Sequence, residues 1–152
     1  MATYSLTASI RDDAGFTNNT YIVDASIDIQ RLRAYALINS YVGTRYKIPS
    51  LVDANFVGSP AAQLLESIEI NLGGAYLLIK EYWPAGRDTD KDWYRRFEDV
   101  KTLLAEIRDG KLSLFGLDGN LLPGIDGTNQ IGGTIRGFVT DELPRFSVDD
   151  TF

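Results

Sequence analysis

A chain of 152 residues can build a single core, which at this size buries roughly two-thirds of the surface the unfolded chain exposes. It contains no Cys and no His, which excludes disulfides, thiolate nucleophiles, zinc–thiolate sites and the commonest neutral-pH general base. With 21 acidic residues against 15 basic ones the net charge is −6, and the basic groups are small ones (Arg31 with Arg33, Arg45 with Lys47, Arg95 with Arg96), so tight binding to nucleic-acid phosphates is disfavoured.

The first expected element is a short helix over residues 5–14, closed by Gly15 in the left-handed conformation that caps helix ends. A turn-rich connection, Phe16-Thr17-Asn18-Asn19-Thr20, leads to a second helix. That helix should start at Asp24 or Ser26 as N-cap and run to Val42, with Gly43 stopping it. Ile27, Ala34, Ile38 and Tyr41 follow the helical period on one face, and Leu32, Tyr35 and Val42 widen it. Residues 44–58 read as a loop, with Pro49 excluding helix just before it.

Ser59-Pro60 is a strong helix start, a Ser cap followed by Pro at the first helical position. The helix that follows carries Leu64, Leu65, Ile68, Leu72, Ala75, Tyr76, Ile79 and Trp83 at helical spacing and is expected at the centre of a bundle. Gly73-Gly74 lies inside it, where each Gly costs about 1 kcal/mol relative to Ala, so another helix should pack closely there. Pro84-Ala85-Gly86 breaks the pattern, and Asp88 or Thr89 should cap a last helix running to Asp109. Its stripe is Trp93, Phe97, Val100, Leu104 and Ile107, and Gly110 ends it.

From Gly110 to Gly137 there are eight glycines and no helical period. Asp118-Gly119 and Asp126-Gly127 are hairpin-turn dipeptides, and residues 134–140 suit a short strand. Such strands cannot build a core alone, yet the segment is too apolar for a solvated tail. It must be buried against this core or against another chain. The expected fold is therefore mainly α, an antiparallel three- to four-helix bundle over about residues 5–110, followed by a C-terminal β-hairpin and extended arm. As domains, residues 1–110 form the core and 111–152 the arm. The apolar runs stop well short of the roughly 20 residues a membrane span needs, and the Met1-Ala2-Thr3-Tyr4 start does not suggest a signal peptide.

No catalytic, cofactor or metal site is expected. The Asp-Gly pairs lack the alternating oxygen ligands and twelfth-position Glu of a calcium loop. Gly132-Gly133 fits no phosphate-binding pattern. Glu66, Glu69 and Glu81 are the conceivable acid–base carboxylates, but charges on a helix usually form its solvated face, and a hydrolytic pair needs a defined separation. Trp83, Trp93, Tyr82 and Tyr94 gather near the last inter-helix turn, where Trp93 should point inward and Tyr94 or Arg95 outward, available to a neighbour. The candidate interface residues are Tyr94, Arg95, Phe138, Leu143, Arg145, Phe146 and Phe152.

Three stretches resemble the small head–tail connector (adaptor) proteins of tailed bacteriophages, including the Mu-like connector family. The first is a helix running into a Gly-x-Arg-Tyr-x-x-Pro corner, here Ala34, Ile38, Tyr41, Gly43, Arg45, Tyr46 and Pro49. The second is Tyr76-Leu77-Leu78 in an apolar helix with small residues. The third runs from Trp93-Tyr94-Arg95-Arg96-Phe97 through Leu104 and Ile107 to Gly110-Lys111. The resemblance covers about residues 5–115 and implies a homo-oligomeric ring of about twelve copies at the neck of the virion, assembled in the host cytoplasm. Such a ring docks on the portal protein, extends the DNA channel without binding DNA specifically, and presents a surface to a stopper or tail protein. It implies no enzyme activity, no cofactor and no membrane partner. The segment from 116 to 152 exceeds the short tails of Mu-like members, so its contacts are not carried over. The alternatives are another virion protein, such as a tail-completion protein, or a small carboxylate-dependent hydrolase.

Overall fold

The computed structural model of the chain describes residues 3–82 and 92–125 and contains four helices among them: α1 (Thr7–Asp13), α2 (Asp24–Val42), α3 (Pro60–Tyr82) and α4 (Asp92–Arg108). The fold is mainly α, as the helical periods require. Both α2 and α3 touch all three other helices, and α1 and α4 each pack on that central pair and are tied to each other by the Arg96–Asp13 ion pair at 3.1 Å. Lys80 near the end of α3 hydrogen-bonds Ser26 near the start of α2, so these two run antiparallel. The end of α4 lies beside the end of α2, where Arg45 abuts Gly110, which makes α4 antiparallel to α3 as well.

The helix ends follow local chemistry. Gly15 has φ 76°, with its N–H on Asp12 O and the Phe16 N–H on Arg11 O, a Schellman pair that closes α1. Gly110, at φ 77°, closes α4 in the same way through Ile107 O and Glu106 O. Ser59 caps α3 by accepting the Ala62 N–H at 3.1 Å, while Pro60 opens the helix. The start of α2 differs from the expected Asp24 or Ser26 cap. Its N-cap is Val23, which has no side-chain oxygen to offer, and Asp24 instead takes the Arg11 guanidinium at 2.7 Å. Gly43 does end α2, but at φ −66°, not in a left-handed conformation. Its small size is what the site uses, since Ile48 Cδ1 lies 3.1 Å from where a Cβ would stand. The expected cap at Asp88 or Thr89 lies outside the described residues, as does Trp83.

One large core joins Ala34, Ile38 and Val42 of α2 to Leu65, Ile68 and Leu72 of α3 and to Val100, Leu104 and Ile107 of α4. A smaller one joins Ile10, Ala14, Phe16, Ile22, Ile27 and Leu77 beneath α1. The inner face of α2 is Ile27, Gln30, Ala34, Ile38 and Val42, so Leu32 points outward and a Gln takes an inward position. The Gly73-Gly74 pair is where α1 lies closest. A Cβ on Gly73 would stand 2.7 Å from Ile10 Cδ1, and one on Gly74 would stand 2.8 Å from Asp13 Oδ2.

The start of the arm returns to its own bundle. Leu114 and Leu122 belong to the large core. Phe115 pairs with Leu121 and Tyr46 with Gly124 in isolated antiparallel bridges, the β structure found among the described residues. Between Phe115 and Leu121, Asp118-Gly119 forms the turn with Gly119 alone at positive φ, 76°, so this is not the two-residue hairpin turn in which both central residues are left-handed. Asp118 instead accepts the Asn120 N–H at 3.0 Å, and the Gly116 N–H reaches Asn120 O at 2.8 Å. The Asp126-Gly127 turn and the strand expected over 134–140 lie outside the described residues.

Candidate functional site

The Gly-x-Arg-Tyr-x-x-Pro corner is where the ends of α2 and α4 meet the returning segment. Tyr46 is fully buried, and its hydroxyl accepts the Leu114 N–H at 3.3 Å. Arg45 lies against Gly110 and near the Tyr46 ring, its guanidinium carbon 5.7 Å from the ring centroid. A side chain at Gly110, which also has positive φ, would meet that guanidinium, so the glycine ending α4 and the Arg of the corner fit together. The backbone continues the lock: the Lys47 N–H donates to Pro123 O at 2.9 Å, and the Ile125 N–H to Arg45 O at 3.2 Å. The corner thus fastens residues 121–125 to the end of α2. Beyond Pro49, a cleft lined by Ile48, Pro49, Ser50, Asp53, Phe56, Leu122 and neighbouring residues separates the loop from the returning segment.

A second fastening joins the loop to the turn. The Leu117 N–H donates to Asn55 O at 2.7 Å, the Asp118 N–H to Asn55 Oδ1 at 3.0 Å, and the Ala61 N–H to Phe115 O at 3.1 Å. Asn55 is itself held by the Asp53 carboxylate, which accepts its N–H at 2.8 Å.

Among the carboxylates singled out from sequence, Glu69 departs from the expected solvated face. It is fully buried and takes the Ser5 N–H, while Arg31 donates to Ser5 O at 3.1 Å. Burial raises the carboxyl's pKa above the usual range, with the Ser5 N–H and the Arg31 charge opposing that shift. Its Oε1 and the Ser5 Oγ are both buried without a protein partner. The neighbouring Tyr4 hydroxyl donates to Asn39 Oδ1 at 2.6 Å and is pushed to higher pKa by burial, then by Tyr35 and Glu69. Together these groups fix the segment before α1 onto α2 and α3. Glu66, one turn before Glu69 on α3, borders a cleft with Tyr4, Val57 and Ala62, and its charge adds to the rise in the Glu69 pKa. Glu81 is exposed and pairs loosely with Lys80 at 3.7 Å. No group of three or more potential metal ligands occurs among the described residues.

Tyr94 and Arg95 both lie exposed on α4, and Trp93 meets Tyr94 edge-on with ring centroids 6.1 Å apart. Phe138, Leu143, Arg145, Phe146 and Phe152 lie outside the described residues.

A protein-family model described as "Bacteriophage Mu, Gp36" matches residues 3–126. The chain belongs to the bacteriophage Mu Gp36 family. It is a phage protein of the Mu type. No curated protein and no solved structure matches it significantly. The Mu Gp36 match takes in all four helices, the corner from Gly43 to Pro49 and the returning segment as far as Ile125. It therefore ends where the chain has completed its lock on the end of α2. Five of the seven candidate interface residues, from Phe138 to Phe152, fall beyond it. Sequence reading did not find Asn55 or the burial of Glu69. An Asn in a loop and a Glu in a helix carry no local signal of their distant partners.

Proposed function

We propose that the protein is a structural head–tail connector subunit of a tailed phage virion. Copies form a ring docked on the portal at the neck, extend the DNA channel, and offer an attachment surface to a stopper or tail protein. Membership of the Mu Gp36 family over residues 3–126 is the observation that carries this reading. The resemblance of the Gly43–Pro49 corner and of the α4 stripe, both within that match, to phage connectors supports it further. So does the composition: without His or Cys, catalysis would have to rest on carboxylates, Lys, Tyr, Ser or a bound cofactor, and the deeply buried Glu69 holds the N-terminal segment. The role is not enzymatic.

Heterologous ring contacts need two different faces on each subunit. A bundle with exposed apolar groups at several separate places can provide them. An acidic chain also suits a channel wall, because acids facing the lumen repel DNA phosphates and let the genome slide past. Sedimentation of the purified chain with purified portal tests the reading. The expected result is one faster-sedimenting complex. Portal that sediments alone, beside a chain that binds only tail components, would favour the tail-completion role instead.

A further inference from the structure

The end of the bundle formed by residues 43–58 and 110–125 carries an unusual share of exposed apolar side chains. Ile48, Val52, Val57, Phe115, Leu117 and Ile125 make up six of the twelve large exposed hydrophobics among the described residues, and Val52 is 87% exposed. They stand on backbone that is already fixed, by Asn55 on one side and by the Tyr46–Gly124 bridge on the other. A rigid apolar surface loses little conformational freedom on binding, which favours its use as an interface.

We infer that this apolar end receives the segment 126–152 of a neighbouring copy of the same chain. Three observations select that occupant. The described chain stops at Ile125 on this same end, with 27 further residues in the sequence. Those residues include Ile131, Ile135, Phe138, Val139, Leu143 and Phe146, which need cover. The charges are complementary too: the two receiving stretches hold Arg45, Lys47 and Lys111 against Asp53 and Asp118, whereas the segment holds five acids and two bases.

Direction favours a neighbour over the chain's own body. Residues 122–125 run antiparallel to 45–47, which carries the chain from beside Lys47 towards Arg45. At Ile125 the chain therefore heads towards the end of α2, away from Ile48. An arm given to one neighbour and an acceptor offered to the other make a head-to-tail contact, the kind a ring requires. The inference deepens the connector reading by naming the contact between copies, and it does not require portal to be present.

The absence of Cys allows a direct test in the full chain. One preparation carries Leu117→Cys, and another carries Phe138→Cys, Leu143→Cys or Phe146→Cys. The two are mixed and oxidised without portal. Disulfide-linked heterodimers are expected, at least several-fold above a control mixture in which Tyr21→Cys, at a residue 94% exposed between α1 and α2, replaces Leu117→Cys. Leu117 is 61% exposed, so its substitution leaves the core intact. Yields equal to the control for all three arm positions would overturn the proposal. It would also be overturned if cross-links formed only within a doubly substituted chain at high dilution, or only to added portal. Failure of portal binding alone would count against the connector reading and leave this contact standing.

Discussion

Glu69 places a carboxylate where hydrocarbon would otherwise pack, and its energetics follow from that. Its pKa is raised by burial above that of the unfolded chain, so the native state holds the proton more tightly. The resulting contribution favours folding most below the ordinary Glu value of about 4.3 and is lost as pH rises through the native pKa. Glu69→Gln should therefore raise the urea midpoint relative to the parent more at pH 8 than at pH 5. An equal shift at both values would show that the carboxyl is not the source. Tyr46→Phe removes the acceptor of the buried Leu114 N–H and should cost about 1–3 kcal/mol by denaturant titration. At Gly73 two effects oppose each other. Ala would gain about 1 kcal/mol in helix propensity. However, its methyl would press on three side-chain carbons of the wholly buried Ile10, at 2.7, 3.2 and 3.3 Å, and overpacking costs about 1–3 kcal/mol. Net destabilisation of Gly73→Ala is expected, and a gain in melting temperature would contradict the close packing of α1 on α3.

The helices were the most legible elements, because glycine caps, the Ser59-Pro60 start and the α4 stripe are local signals. The Schellman closures at Gly15 and Gly110 follow from them directly. The face of α2 was less legible. Ile29 and Leu32 are exposed on that helix while Gln30 is buried, so apolar groups surround it and periodicity alone cannot choose its inward side. Its cap was missed for a similar reason: Asp24 looks like an N-cap in isolation, but Arg11 from another element claims it. The arm's glycines announced a change of structure without revealing its destination. That destination, for Leu114 and Leu122, is the bundle's own core through Tyr46, a long-range contact that no window of sequence contains. The pin at Asn55 gives an element-scale prediction. Asn55→Ala should speed amide exchange at Asp118 and leave exchange in α2 and α4 unchanged, since the lost bond is exposed and local. Loss of protection throughout the helices would mean that the loop and turn support the bundle as a whole.

At the scale of the whole molecule, the described bundle combines a locked corner with exposed apolar and aromatic side chains at several places, among them the end bearing Val52 and Leu117, and Tyr94 on α4. That arrangement suits a part built to be assembled, and the Mu Gp36 family places it in a phage. The resemblance to connectors read from the Gly43–Pro49 corner is what supports the proposed place at the neck of the virion. The corner itself, though, acts inside the subunit, where Arg45 and Tyr46 hold the returning segment in place. Its side chains organise the surface that other chains would meet. The most direct test of the connector account is the mass of the full chain by light scattering, alone and with increasing amounts of purified portal. The account predicts a ring-sized species bound to portal and saturating at a fixed ratio of subunits. A chain that stays monomeric, with portal unchanged in mass at every ratio, would contradict it.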